Sequence, residues 1–398
     1  MIQSDILGIQ IRSRDPLNLY GSMETALQQI RKHRPLDLNA ERWRKANPRG
    51  TFDQWREAVT RCLLDGFHYD PGALDLKPQV IERVERPSYT QELVAFNTTP
   101  WFRVEGCFLL PQGASADRPV PAILLFHEWG GPMFFGKERC VNTGRDHPLL
   151  QEHRALHYSG RYLAETFIEA GYAVLCADAY HFGRRAPRGL NGIPDEFDPM
   201  MMNIWDAMHL ELKVCDQIYL GARQLQFAGT TWAGVNYWDD SRCVDYLISR
   251  PEVDANHIGC TGLSVGGWRT NMLAACDRRI KASVSVGWMT TGDHQQLYNL
   301  AGAIGVFAML PGVWDRLDIP DLTVLAASNA AMVVSCSQDL LFPPEAQIEA
   351  DRQARDGFAW ARCPEQYQFY NPPKGHCYDA DIQREAIAWF DRHLRSRK

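Results

Sequence analysis

The chain has 398 residues, of which 45% are hydrophobic and 23% are charged, and its net charge at pH 7 is −6. This balance is typical of a globular protein and excludes a mainly disordered or collagen-like chain. An acidic chain of this kind is not expected to bind nucleic acid or an anionic membrane surface.

Cysteine usage and the apolar segments indicate a cytoplasmic protein. The 11 cysteines are scattered and contain no CxxC pair, which is typical of reduced thiols. Residues 1–15 lack a basic region followed by an apolar run, so no signal peptide is expected. The apolar stretch 299–314 is interrupted by glycine and proline and is shorter than the ~20 residues of a membrane span. We therefore expect no membrane segment.

Residues 1–88 are predicted to form a helical extension. Ser22 and Thr51 each precede apolar residues at three-to-four spacing, and a carboxylate follows each of them two positions later, as in a first helical turn. No residue of the extension suggests a chemical role, so we expect it to pack against the rest of the chain. A homo-oligomer that uses this extension as its interface is compatible with the sequence.

From residue 89 to residue 398, short apolar strands alternate with helical segments. Strands are predicted at 92–96, 102–110, 121–126, 172–177, 257–262, 280–287, 331–335 and 366–370, and helices at 239–248, 264–276 and 382–394. This alternation predicts one α/β domain with a mostly parallel central sheet flanked by helices. The methionine- and tryptophan-rich segment 187–235 interrupts the rhythm and is predicted to be a helical insertion over the carboxyl ends of the strands.

The segment 262–266, with the sequence GLSVG, lies between a predicted strand and a predicted helix. A GxSxG sequence in this position is typical of a nucleophile elbow, a tight turn that lifts its serine above the edge of the sheet. Glycines in such a turn remove side chains that would collide with neighbouring strands. Ser264 is therefore the candidate nucleophile.

A serine nucleophile needs a histidine base and an acid that orients the histidine. His376 follows the last predicted strand, and Asp339 follows the apolar strand 331–335. The chain order Ser264, Asp339, His376 is the order expected for such a triad on an α/β sheet. Rival residues have less suitable positions in the chain: His294, His393, Asp318 and Asp321.

An oxyanion hole needs two backbone N–H groups directed at the tetrahedral oxygen. Val265, which follows the nucleophile, is one predicted donor. The other is expected from the loop 127–131, HEWGG, which follows the strand 121–126. Trp129 is the predicted donor of this loop, with Gly130 as the alternative.

Several of these segments resemble the dienelactone-hydrolase-like and acetyl-xylan-esterase-like branch of the α/β-hydrolases. They are HEWGG, the segments 170–185 and 250–267, and the tail SQDLLFPP…KGH. The resemblance implies the α/β-hydrolase fold and a serine esterase that acts through an acyl-enzyme, without a cofactor, on a small-molecule or carbohydrate ester. Dienelactone hydrolases carry a loop glutamate at the position of Glu128 but use a cysteine nucleophile. The serine found here favours an acetyl or other short-acyl ester over a lactone.

Large side chains near the predicted strand ends and in the insertion are candidates for the substrate pocket, although core aromatics produce the same pattern. The predicted pocket residues are Glu128, Tyr180, Trp205, Trp268 and Trp288.

Two further segments are similar to ligand-binding motifs, but we interpret neither as a binding site. The segment 131–138 is similar to a phosphate-binding GxxxxGK[ST] loop, but Glu138 replaces the hydroxyl and Pro132 removes an amide donor. His153 and His157 have the spacing of two zinc ligands on a helix, but the glutamate of an HExxH motif is missing. We expect neither nucleotide nor metal.

Three other functions remain open from the sequence. They are a peptidase of the prolyl-oligopeptidase type, a lactone hydrolase, and a non-catalytic ligand receptor on the same fold. The first requires a large β-propeller that an 88-residue helical extension cannot build, and a receptor has no need of all three triad residues.

Overall fold

The computed structural model describes residues 5–6, 9–10, 23–72, 74–131, 133–186, 198–294 and 305–395. Parts of the predicted insertion (187–197) and of the apolar stretch (299–304) lie outside the described residues, as does Ser22. None of the helices in the described ranges is long and apolar enough to cross a membrane.

The core of the protein is a nine-stranded sheet with the order β11-β10-β9-β8-β6-β7-β5-β4-β3. Strands β6 to β11 are parallel, whereas β3, β4 and β5 are antiparallel to their neighbours. The strands are β3 (Gln79–Glu85), β4 (Tyr89–Asn97), β5 (Arg103–Pro111), β6 (Val120–Phe126), β7 (Ala173–Ala177), β8 (Val253–Leu263), β9 (Ile280–Val286), β10 (Ala330–Val334) and β11 (Tyr367–Tyr370). A separate two-stranded sheet consists of β1 (Asp5–Ile6) and β2 (Ile9–Gln10).

Helices cover both faces of the large sheet. They are α1 (Met23–Lys32), α2 (Ala40–Ala46), α3 (Phe52–Phe67), α4 (Pro148–His157), α5 (Leu163–Glu169), α6 (Ile204–Phe227), α7 (Trp232–Ser249), α8 (Val265–Cys276), α9 (Gly292–His294), α10 (Pro320–Leu325), α11 (Pro344–Trp360) and α12 (Ala380–Leu394). Short 3-10 helices lie at Lys137–Arg139, Gly183–Arg185, Pro199–Met201, Gly305–Phe307 and Pro364–Gln366.

Strand β6 shows why these apolar runs form central strands. Successive side chains of a strand point to opposite faces of the sheet. Leu124 packs into the cluster that contains residues of α7 and α11, whereas Ile123 and Leu125 pack into the cluster of α5 and α12. A strand that is buried on both faces has no polar face, so its sequence is a continuous apolar run.

The prediction that residues 1–88 are helical is wrong at both ends, since the strands β1 and β2 lie near its start. Residues 79–85 form the edge strand β3, which pairs antiparallel with β4. This strand is largely exposed, so the apolar pattern that revealed the buried strands is missing. A register shift between Val80 and Glu82 further disrupts the alternation.

Helix α3 begins where the sequence predicts a helix start. Thr51 and Gln54 form a reciprocal capping box at its amino terminus. Trp55 and Leu63 of this helix lie in the same buried cluster as Trp268 and Trp288. The amino-terminal helices therefore contribute to the core that supports the carboxyl ends of the strands.

Candidate active site

Ser264 lies in a strained turn between β8 and α8. Its backbone has φ 57° and ψ −121°, a conformation that residues other than glycine seldom adopt. A Cβ atom on either Gly262 or Gly266 would lie 2.5 Å from the carbonyl oxygen of Phe126. Only glycine fits at these two positions, and the turn thereby brings Ser264 close to the end of β6.

Asp339, which is buried, and His376, which is partly exposed, form an acid–base pair. Asp339 follows β10, His376 follows β11, and the distance from Asp339 Oδ2 to His376 Nδ1 is 2.6 Å. The other carboxylate oxygen of Asp339 accepts a hydrogen bond from the N–H of Leu341, which fixes its orientation. Because the carboxylate binds the proton on Nδ1, Nε2 of His376 is the nitrogen that can accept a proton.

Ser264 and His376 both lie at the end of β9. The N–H of Ser264 donates to the carbonyl of Val286 at 2.8 Å. A Cβ atom on Gly287, the next residue, would lie 2.9 Å from Cε1 of His376. Ser264 and His376 both lie within the described residues. In this conformation no hydrogen bond joins Ser264 Oγ to the His376 ring. Such bonds are often long before substrate binds.

The two predicted oxyanion donors belong to adjacent elements. Val265 is the first residue of α8, where backbone N–H groups have no partner within the helix. The loop after β6 that contains Trp129 lies beside this helix start, since a Cβ atom on Gly266 would lie 3.2 Å from the carbonyl oxygen of His127. His127 holds the loop in place, because its Nδ1 donates to the carbonyl of Glu128 and its Nε2 accepts from the N–H of Ala179.

Glu128, a predicted pocket residue, points into the protein and is only 2% exposed. Its carboxylate accepts hydrogen bonds from His153 (2.5 Å), Arg139 (3.2 Å) and the Tyr158 hydroxyl. Burial alone would raise the pKa of Glu128, but His153 and then Arg139 lower it well below the ordinary value. The structure thus places this carboxylate in an internal ionic network that anchors the loop 127–131.

The four aromatic pocket candidates do not form one wall. Trp268 and Trp288 are buried, with ring centroids 5.2 Å apart, and the Trp268 indole donates to the carbonyl of Phe307. Tyr180, after β7, is half-buried against His181. Trp205 on α6 is 74% exposed. The size of an aromatic side chain does not distinguish these environments in the sequence.

Lys137, in the segment similar to a phosphate-binding loop, has a structural role. Lys137 is buried and contacts three carboxylates: Asp178 at 2.9 Å, Glu105 at 3.0 Å and Glu138 at 3.1 Å. Burial would lower the pKa of Lys137, but these carboxylates raise it well above its ordinary value. The ion pairs of this ammonium group therefore connect the loop after β6 to β5 and to the end of β7.

Sequence reasoning missed the role of α4. His157 donates from Nδ1 to the backbone carbonyl of His376 at 2.9 Å, and His153 contacts Glu128. The signal was the four-residue spacing of the two histidines, which places both on one helical face. The same spacing is also found in a pair of zinc ligands or in an exposed histidine pair, and neither interpretation predicts these contacts. Among the described residues, no group of three or more His, Cys, Asp or Glu side chains is arranged to hold a metal ion.

Known structures share this architecture. The crystal structure of a "putative acetyl xylan esterase" from Bacteroides fragilis NCTC 9343 superposes with a TM-score of 0.64 at 16% identity, covering 88% of this chain and 82% of that chain. A glucuronoyl esterase from Solibacter usitatus superposes with a TM-score of 0.58 at 15% identity, covering 89% and 93%. The chain has the α/β-hydrolase fold.

Sequence comparisons agree with this fold. The family model "BAAT / Acyl-CoA thioester hydrolase C terminal" matches residues 234–345, which include Ser264 and Asp339. The Bacillus subtilis (strain 168) protein "Putative hydrolase YtaP" is 22% identical over 325 residues, covering 80% of this chain and 94% of that protein. The fold class predicted from the sequence is confirmed, and the predicted resemblance to acetyl xylan esterases is confirmed at the level of the fold.

Proposed function

We propose that the protein is a serine hydrolase of carboxylic esters. The observation that supports this most is the 2.6 Å bond between the buried Asp339 and His376, at the sheet edge where the strained elbow presents Ser264. Structural neighbours named as acetyl xylan and glucuronoyl esterases favour an ester, acetyl or short-acyl, of a small molecule or carbohydrate.

The reaction follows from the positions of the three side chains. His376 Nε2 accepts the proton of Ser264 Oγ while Oγ attacks the ester carbonyl carbon. Asp339 stabilises the resulting imidazolium through Nδ1–H. The N–H groups of Val265 and Trp129 stabilise the negative oxygen of the tetrahedral intermediate.

Collapse of that intermediate breaks the bond to the alcohol. His376 donates its proton to the departing alkoxide, which leaves an acyl group on Ser264. Water then attacks the acyl carbon, with His376 as base, and the second collapse releases the carboxylic acid and restores the Ser264 hydroxyl. Every proton taken by His376 is returned, so no cofactor is required.

The substitution Ser264→Ala tests this function. It removes the nucleophile without leaving a charge, so we expect hydrolysis of p-nitrophenyl acetate to fall by several powers of ten while the melting temperature is retained. Covalent labelling by a fluorophosphonate probe should also disappear. The matched control is Ser249→Ala at the end of α7, which should change neither activity nor labelling.

Two outcomes would contradict the proposal. Full esterase activity in the Ser264→Ala variant would exclude Ser264 as nucleophile. A wild-type protein that binds esters without reacting with the fluorophosphonate would instead be a ligand receptor. A substrate panel of acetyl, butyryl and lactone esters then identifies the ester class.

A further inference from the structure

Helix α4 lies between the two loops that the proposed reaction uses. His157, the last residue of α4, donates from Nδ1 to the carbonyl oxygen of His376 at 2.9 Å. The carbonyl of His157 in turn accepts from the N–H of Tyr378 at 2.8 Å. The loop that carries the catalytic base is therefore attached to the carboxyl end of α4 on both sides of Cys377.

The same helix is attached to the loop that carries the predicted oxyanion donor. His153 Nε2 lies 2.5 Å from Glu128 Oε1. A Cβ atom on Gly130 would lie 3.2 Å from the His153 ring and 3.8 Å from Nε2 of His157. With ring centroids 4.6 Å apart, His153 and His157 form a continuous contact from this loop to the base loop.

The proton of His157 can be assigned from its partners. Burial, followed by the neighbouring His153, lowers the pKa of His157, so its ring is neutral near pH 7 and carries one proton. A carbonyl oxygen only accepts hydrogen bonds, which places that proton on Nδ1. The ring therefore acts as a fixed donor to the backbone of His376.

We infer that His157 is a positioning residue for the proposed esterase reaction, one that fixes the backbone of His376 relative to the loop 127–131. This inference rests on the proposed function. A general base must be held within hydrogen-bond reach of the hydroxyl that it deprotonates. Displacement of the base by a fraction of an ångström lowers the rate of the chemical step more than it lowers substrate binding.

The test compares three substitutions at one position. His157→Phe keeps the ring but removes the donor, and His157→Asn keeps a donor near the position of Nδ1. His157→Gln keeps a donor but places it one bond further from the backbone than in His157→Asn. If the Phe variant does not fold, the Gln variant is compared with the Asn variant in its place. The control is His257→Phe, because His257 also uses Nδ1 in a hydrogen bond, to Asp254, but lies toward the amino-terminal end of β8.

The measurements are kcat and KM for p-nitrophenyl acetate, with active sites counted by fluorophosphonate labelling. We expect His157→Phe to lower kcat by roughly 10–100-fold with little change in KM. We expect His157→Asn to stay close to wild type, and His157→Gln to resemble the Phe variant. The low-field proton NMR signal of the bond between His376 and Asp339 should weaken in the Phe variant and persist in the Asn variant.

Two results would overturn the inference. One is a folded His157→Phe variant with wild-type kcat, and the other is a His157→Asn variant as impaired as the Phe or Gln variant. Both are distinguishable from failure of the proposed function, which would appear as wild-type activity that survives Ser264→Ala.

Discussion

Gly287 offers a sharp test of whether the position of His376 limits activity. This residue has φ 64°, and a Cβ atom there would lie 2.9 Å from Cε1 and 3.2 Å from Nδ1 of His376. Ordinary carbon–carbon contacts are at least about 3.5 Å, so the ring in a Gly287→Ala variant must move by roughly 0.6 Å. That movement strains the 2.6 Å bond to Asp339 and changes the approach of Nε2 to Ser264.

Two effects of Gly287→Ala can be estimated separately. The left-handed backbone conformation costs an alanine about 1–2 kcal/mol of folding stability. The displaced base should lower kcat/KM for p-nitrophenyl acetate by roughly 10–100-fold. The matched control is Gly113→Ala, because Gly113 has φ 86° and no atom within 4 Å of its would-be Cβ. It should show a similar loss of stability in urea unfolding but unchanged kcat/KM.

The comparison with the control decides the outcome. If Gly287→Ala is as active as Gly113→Ala, either the position of His376 does not limit the reaction or His376 is not the base. If both variants lose activity in proportion to their unfolded fraction, the effect is one of stability alone.

Two further predictions concern buried charges. Lys137→Met removes the partner of three carboxylates, Asp178, Glu105 and Glu138, and should destabilise the fold by about 3–5 kcal/mol; a loss below about 1 kcal/mol in urea unfolding would contradict this. Burial raises the pKa of Asp321 from 3.8 to about 7, so the folded protein favours its protonated form. The contribution of Asp321 to folding stability should therefore decline as pH rises from about 4 to about 7. The difference in unfolding free energy between wild type and Asp321→Asn should follow this decline, and a difference that is constant over the same pH range would show that Asp321 does not titrate there.

Two contacts that join distant parts of the chain were not predicted from the sequence. Glu128 is followed by Trp129 and two glycines, which indicate a loop but not that the carboxylate points inward to His153 and Arg139. His157 and His376 are 219 positions apart, and their contact depends on how α4 packs beside the base loop. Residue type alone therefore assigned Glu128 to the pocket and left the contact of His157 with the base loop unpredicted.

The sequence alone determined the fold class and the chain order of the candidate triad residues. Strands buried on both faces of a parallel sheet must be continuously apolar, so β6, β7 and β10 were visible as short runs between polar loops. The residues after the carboxyl ends of parallel strands meet at one sheet edge, which is why Ser264, Asp339 and His376 could be grouped from their places in the chain.

The tertiary structure decided what each side chain contacts. The edge strand β3 is specified by its pairing with β4, not by a buried face. Trp268 is buried and Trp205 is exposed, and they differ only in the residues that pack around them. Burial and hydrogen-bond partners depend on neighbours that come from other elements. They are set when the helices pack on the sheet, and local patterns of residues do not record them.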